Sequence, residues 1–338
     1  MRKKNINIYA LVAVAVIVVM FCAYRAFYGS AVSQRFTIAV DDAQDYAEQV
    51  ADVKANISHD MAFSLYARRI NLTRGIEGGR YTFNEGMSVI EVARRLKFGN
   101  DGTVRLTINN ARTPEILAGK IAAQIDVDSL SVVTALRSKE LIKELGFDSG
   151  EAMLSLFLPN TYEVYANISP ESLVRRMKRE SDAFWASAER QAQLQRIGLT
   201  PYEVMTLASI VHEETSYKGE MSRVAGVYVN RLRRGMPLQA DPTVKYAVGN
   251  PSLKRILYKH LEVDSPYNTY LYAGLPPTPI CMPDMAVIEA VLNYEEHDYY
   301  YFCARPEMDG KHNFARTHRE HERNASAYHR ALSKRNIR

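Results

Sequence analysis

The residues best placed for acid–base chemistry in this 338-residue chain lie in one stretch, Thr200 to Thr243, TPYEVMTLASIVHEETSYKGEMSRVAGVYVNRLRRGMPLQADPT. Thr200 suits a helix N-cap, Pro201 the first helical position, and Glu203 completes a T-x-x-E capping box. At about 100° per residue, Val204, Leu207, Ile210 and Val211 share a stripe, and Glu214 returns to within roughly 20° of Leu207's direction. Glu213 points away from that stripe and His212 lies opposite it. A carboxyl on a face that should be apolar loses hydration, which disfavours its charged form and raises its pKa. A carboxyl that still holds its proton near neutral pH is what a general acid needs, for instance to protonate a glycosidic oxygen. The structural alternative is a helix-end Glu that reaches solvent or pairs with Arg231 or Arg233.

Glu220 is the nearest further carboxylate, beyond a turn at Tyr217-Lys218-Gly219. It is placed to cap or salt-bridge a helix from about Glu220 to Arg234 that ends at Gly235, with catalytic support as its second role. Asn230, Gln239, Asp241 and Thr243 follow, where Gly235 permits a tight exit and Pro242 stiffens the next loop. Polar groups there would suit sugar hydroxyls and acetamido groups if they face Glu214, or would hold the loop by side-chain-to-backbone bonds. Asp241, just before Pro242, has the look of a turn former, so Gln239 is the better contact. Tyr246, Tyr267, Asn268, Thr269 and Tyr270 combine rings suited to stacking on sugars with turn formers suited to a groove wall.

His312, His318 and His321 raise the question of zinc. His318 and His321 share a helix face at i, i+3, but two residues separate them where an HExxH site needs three. No metal and no cofactor is assigned. No phosphate-cradling glycine loop or nucleophile elbow is present.

Read as blocks, ASIVHEETS, E-x-x-R-V-A-G-V-Y-V-N-R-L-R-x-G-M-x-L-Q-x-D-P-T-V-x-Y, SPYNTYLYAGLPPTPI (265–280) and H-N-F-x-x-T-x-x-x-H (312–321) resemble the YceG-like family, the endolytic murein transglycosylases. The resemblance implies that Glu214 is the catalytic acid and that Glu220 matches a family acid. It also implies that Tyr267, Asn268 and Thr269 line the groove and that His312 and His321 border it. LFLPNTYEVY (156–165) resembles the family's FxPDTY, with Asn160 where Asp is usual. The implied reaction cleaves the MurNAc-GlcNAc β-1,4 bond of nascent glycan strands. One carboxyl protonates the oxygen leaving muramic acid C1, then deprotonates the C6 hydroxyl that closes on C1 as a 1,6-anhydro end. The implied partners are peptidoglycan strands, a membrane and peptidoglycan synthases. Two other readings stand beside it, a non-catalytic peptidoglycan-binding scaffold and a zinc-dependent wall hydrolase.

The elements around these residues follow from pattern. Arg2, Lys3 and Lys4 precede an uncharged run from Ile8 to Tyr24, near the lower length limit for a membrane span, with Tyr9, Tyr24, Arg25 and Tyr28 as interfacial anchors. This is read as an uncleaved signal anchor over 8–28, with a cytoplasmic tail at 1–7 and the remainder outside the inner membrane. A cleaved signal peptide ending near Gly29-Ser30-Ala31 is the alternative. Bulky Met20 and Phe21 before Cys22 exclude a lipoprotein site, and Cys281 and Cys303 lack metal or redox spacing.

A strand–turn–helix pattern then recurs from Phe36, Tyr81 and Leu106. The second and third recurrences are expected to share a small α/β module (about 80–148) within an N-terminal region 35–148. Its place resembles the LysM-like region of the YceG-like family, which implies that it binds glycan or orients the catalytic domain; a spacer with no sugar contacts is the alternative. A helical segment spans Leu130 to Phe147, and a long polar helix runs from Pro170 to about Arg196. The expected fold class is α+β, with a mixed catalytic domain over 150–338. Hydrophobic residues at 47% and charged residues at 24% are globular values. A net charge of +5 without a long basic block does not point to nucleic acid as a partner and leaves attraction to an anionic polymer or membrane surface open.

Overall fold

The computed structural model describes residues 2–40, 44–99, 103–125, 127–165, 168–250, 253 and 256–334, without the side chains of 2–11, 13 and 103. The chain opens with a helix, Arg2–Tyr28. The positive cluster at Arg2 to Lys4 and the start of the expected span at Ile8 lie outside the described side chains. Among the described residues no helix is long and apolar enough to cross a membrane. Contacts divide the chain into two units: 1–106 with 124–128 and 163–173, and 107–123 with 129–162 and 174–338.

In the first unit β1 (Phe36–Val40) and β2 (Gly79–Phe83) pair antiparallel, with Phe36 opposite Phe83 and Val40 opposite Gly79. Their alternating inward residues, Ile38, Val40, Tyr81 and Phe83, meet the buried side of the helix Val89–Phe98, formed by Val89, Val92, Ala93 and Leu96. Ser88 and Glu91 form a capping box at its start.

The strands of the recurrences close in separate pairs. The third strand, β3 (Thr103–Ile108), joins β4 (Asn160–Tyr165), and β2 is taken by β1, so among the described residues the second and third recurrences share no sheet. The Phe36–Phe83 ring contact at 4.9 Å fixes the first pair, and Thr107 and Thr161 hydroxyls 3.0 Å apart tie the second. The helix after β3, Pro114–Ala122, starts on the Thr113 cap as its sequence dictates, but Ile116 is exposed and Leu117, Ala118 and Ile121 are buried. Asn160 is exposed and accepts a 2.8 Å bond from the Thr161 backbone N–H, a local bond that needs no charge.

In the second unit each of two expected single helices is broken by a serine cap. Ser138 starts Lys139–Glu144 after Ser129–Leu136, and Ser187 starts Ala188–Ile197 after Pro170–Trp185. The centre is the helix Pro201–Glu214, which begins on the Thr200/Glu203 capping box and buries all of Val204 to Val211. Thr206 and Ser209 sit inside because their hydroxyls donate to the Tyr202 and Thr206 carbonyls, and Ser209 also accepts from the Ile280 N–H. Around it pack Met221–Arg233, Asp241–Val248 and Met285–Leu292. The antiparallel hairpin β5 (Tyr301–Ala304) and β6 (His312–Ala315) and the helix His318–Lys334 complete the unit. Pro242 is the second residue of the helix Asp241–Val248, where its fixed φ and missing N–H suit the first turn, so the expected stiffened loop is helical there.

Candidate active site

Glu214 is the last residue of the central helix, and Thr215 leaves it in extended conformation. Its side chain therefore ends the buried stripe at the floor of a cavity of about 370 Å³, lined also by Tyr228, Arg231, Gln239, Asp241 and Tyr270. The Tyr228 hydroxyl donates to Glu214 Oε1 at 2.8 Å. Tyr228 is fully buried, with its ring edge-on to Phe302 at 5.8 Å. Burial pushes the Glu214 carboxyl up to about 7, and the Asp241 and Glu213 charges add to that. The Tyr228 hydrogen bond and Arg231 act the other way, favouring the carboxylate. The group thus titrates where a neutral-pH acid must.

The structural alternative of an ion pair with Arg231 or Arg233 does not hold among the described residues. The Arg231 guanidinium donates to the carbonyls of Tyr300, Pro237 and Leu238 and to Gln239 Oε1 at 2.6–3.1 Å. Arg233 is spent on the Tyr294 hydroxyl and the Arg196 carbonyl. Gln239 itself holds a left-handed φ of 53°, strained for a residue with a side chain, and its N–H donates to the Thr269 carbonyl. Asp241, first residue of its helix, accepts a 2.6 Å bond from the Tyr270 hydroxyl. Gln239 lines the same cavity as Glu214, and Asp241, read as a turn former, lines it too.

The other expected contacts brace the walls. Glu220 stands at the N-cap position of Met221–Arg233, but its side chain makes no cap bond; its carboxylate is buried and accepts from the His312 N–H and Nδ1 at 3.1 and 3.2 Å. Asn230 donates to the His297 and Tyr299 carbonyls, fixing the segment before β5. Thr243 and Thr269 hydroxyls lie 2.8 Å apart and satisfy the Ala240 carbonyl and N–H. Asn268, fully buried, donates to the Leu261 and Val263 carbonyls. Tyr246 and Tyr267 pack ring on ring at 4.7 Å, and the Tyr267 hydroxyl meets that of Thr278. None of these lines the cavity. Buried polar groups must find partners, and backbone carbonyls from neighbouring loops supplied them.

His312, His318 and His321 do line the cavity. They form no metal cluster; among the described residues the one group of three side chains whose ligand atoms lie within 4.8 Å of one another is His212, Glu213 and Cys281. There Glu213 is paired with Arg112, and His212 Nε2 meets the Asn110 amide. Cys281 and Cys303 are free thiols, the first buried and the second on the cavity wall. Sequence reasoning missed Tyr228, Arg231 and Tyr301 as cavity residues. Tyr228 carried a usable signal: it sits on the apolar stripe of its helix, where a buried hydroxyl requires a partner.

The fold and the cavity define an α+β protein in which a buried carboxyl of raised pKa, Glu214, shares a cavity with a second carboxyl, Asp241. The chain belongs to the YceG-like family, which it matches over residues 38–327. It is 29% identical over 287 residues to an endolytic murein transglycosylase of Bacillus subtilis, covering 80% of this chain and 78% of that one. It is 27% identical over 301 residues to an endolytic murein transglycosylase of Streptococcus pneumoniae, covering 80% of this chain and 54% of that one, so it spans about half the pneumococcal relative. The crystal structure of a YceG-like protein from Listeria monocytogenes is similar over 86% of this chain and 98% of that one, at 26% identity and a TM-score of 0.55.

Proposed function

We propose that the chain is an endolytic murein transglycosylase in which Glu214 serves first as acid and then as base. The observation that carries this reading is the Glu214 carboxyl, raised to about 7 at a cavity floor and held by Tyr228. Protonated Glu214 gives its proton to the oxygen between muramic acid C1 and the next glucosamine. The C1–O bond breaks, and the glucosamine leaves with its 4-hydroxyl restored. The carboxylate then takes the proton of the C6 hydroxyl as O6 bonds to C1, so the product ends in 1,6-anhydromuramic acid and Glu214 is again protonated. No water is consumed. Developing positive charge at C1 is countered by the Glu214 carboxylate and by Asp241, which lines the same cavity. Gln239 offers an amide to the sugar substituents.

The cutting of nascent strands follows from a second part of the proposal. The uncharged run after Arg2-Lys3-Lys4, within the helix Arg2–Tyr28, anchors the chain in the cytoplasmic membrane with the remainder outside, near the synthases that extrude strands. The test of the chemistry is the pH dependence of strand cleavage. kcat/KM stays level below about pH 7 and falls about tenfold per unit above it, as protonated Glu214 is lost. A profile flat from pH 6 to 9 would overturn the assignment.

A further inference from the structure

Beyond Glu214 the cavity has a second pole. Arg231 is only 7% exposed, and its guanidinium bonds three carbonyls and an amide, with no carboxylate paired to it among the described residues. Its positive charge therefore has no ion-pair partner and is offset only through space, by Glu214 when that carboxyl is ionised, in a place where charge is costly. The guanidinium lies 5.1 Å from the centre of the Tyr301 ring, and His321 stacks on the same ring at 5.4 Å with His318 edge-on at 5.8 Å. All four line the cavity.

The two nitrogens of His321 differ. Nδ1 is buried and has no partner, whereas Nε2 is not among the buried atoms lacking partners and makes no bond to any described residue. A buried N–H without an acceptor is rarer than a bare lone pair, so the ring proton belongs on Nε2, which faces the open side as a donor. Burial, His318 and Arg231 hold the His321 pKa below its usual value, which records the positive surroundings. His318 leans on Glu322 at 3.6 Å through Nδ1, on the exposed side.

We propose that His321 Nε2, with His318 and the Arg231 charge behind Tyr301, forms a subsite for a carboxylate of the glycan substrate. This rests on the murein reading above. Two sources carry that chemistry: the lactyl carboxyl of muramic acid where the stem peptide has been removed, and the carboxylates of the stem peptide where it is present. A neutral acceptor would take the free donor alone; a carboxylate also places a negative charge on the Arg231 side of the cavity.

The test is calorimetric binding of GlcNAc-MurNAc probes to the full chain. One pair of probes carries the lactyl group as acid or as primary amide. A second pair carries an L-alanyl-D-glutamyl stem as diacid or as diamide. We expect at least one acid to bind about tenfold more tightly than its amide, with the preferred pair identifying the source. His321→Ala should remove that preference, and His321→Gln, which keeps a donor, should retain most of it. Equal affinity for acid and amide in both pairs, an undiminished preference in His321→Ala, or no saturable binding of any acid would each overturn the subsite. Strand cleavage by Glu214→Gln, measured in parallel, separates the two claims. Activity in that variant would sink the acid assignment and leave the acid–amide comparison to judge the subsite.

Discussion

Glu214 and Tyr228 form a pair whose two groups make separable predictions. The hydroxyl donates to Glu214 Oε1 and so stabilises the carboxylate. Tyr228→Phe keeps the ring against Phe302 and removes that bond, so the alkaline limb of kcat/KM should move up by about one pH unit. A purely structural tyrosine would lower activity without moving the limb, and pH profiles of the two proteins decide between these. The same carboxyl bears on stability. Its folded pKa of about 7 lies above its ordinary 4.5, so the native state holds the extra proton between those values. Stability from this group is therefore full below about pH 4.5 and falls as pH rises to about 7, by at most about 3 kcal/mol, because solvent in the cavity tempers the loss. Glu214→Gln lacks this titration, so its Tm relative to wild type should rise between pH 5 and pH 8. A pH-independent Tm difference would contradict a raised pKa. Glu214 was legible in the sequence because periodicity alone puts an acid where a Leu should be. The bracing roles of Asn268, Thr269 and Asn230 were not, because whether an amide or hydroxyl faces a groove depends on carbonyls of other loops that no local pattern places.

At the scale of elements, four helices and a hairpin contribute to the cavity, and the helix Met221–Arg233 matters most because it carries both Tyr228 and Arg231. Gly226 lies on its buried side, where an added Cβ would fall 2.3 Å from the Glu295 carbonyl oxygen and 2.7 Å from His297 Nε2. Gly226→Ala should therefore push the helix from the segment before β5 and cost about 1–3 kcal/mol in urea unfolding. Cleavage should fall with it, since Tyr228 moves too; unchanged unfolding would mean the contact yields freely. The start of the central helix was readable from its capping box, as was the cap of Pro114–Ala122. The breaks at Ser138 and Ser187 were readable in principle, because each serine accepts from the N–H three residues on, yet a charge-rich helical pattern ran through both and hid them.

For the whole molecule, the family blocks lie in the second unit, and the resemblance carried the functional reading further than any single element did. The strand–turn–helix recurrences showed that small α/β units were present, but pairing needed knowledge of which apolar faces close on each other. Ile38 and Val40 of β1 close with Tyr81 and Phe83 of β2, across a long stretch of chain that periodicity does not join. The proposed anchor gives a prediction at this scale: deleting residues 1–28 should shift the protein from the membrane fraction to the soluble fraction of lysed cells. Retention with the membranes would remove the anchor from the account. The claim on which everything else depends is that one carboxyl closes the anhydro ring. Mass analysis of purified glycan strands digested by the full chain beside its Glu214→Gln variant tests it most directly. The prediction is 1,6-anhydromuramic ends from the wild type and at least about a hundredfold fewer from the variant. Equal anhydro products from both would contradict it.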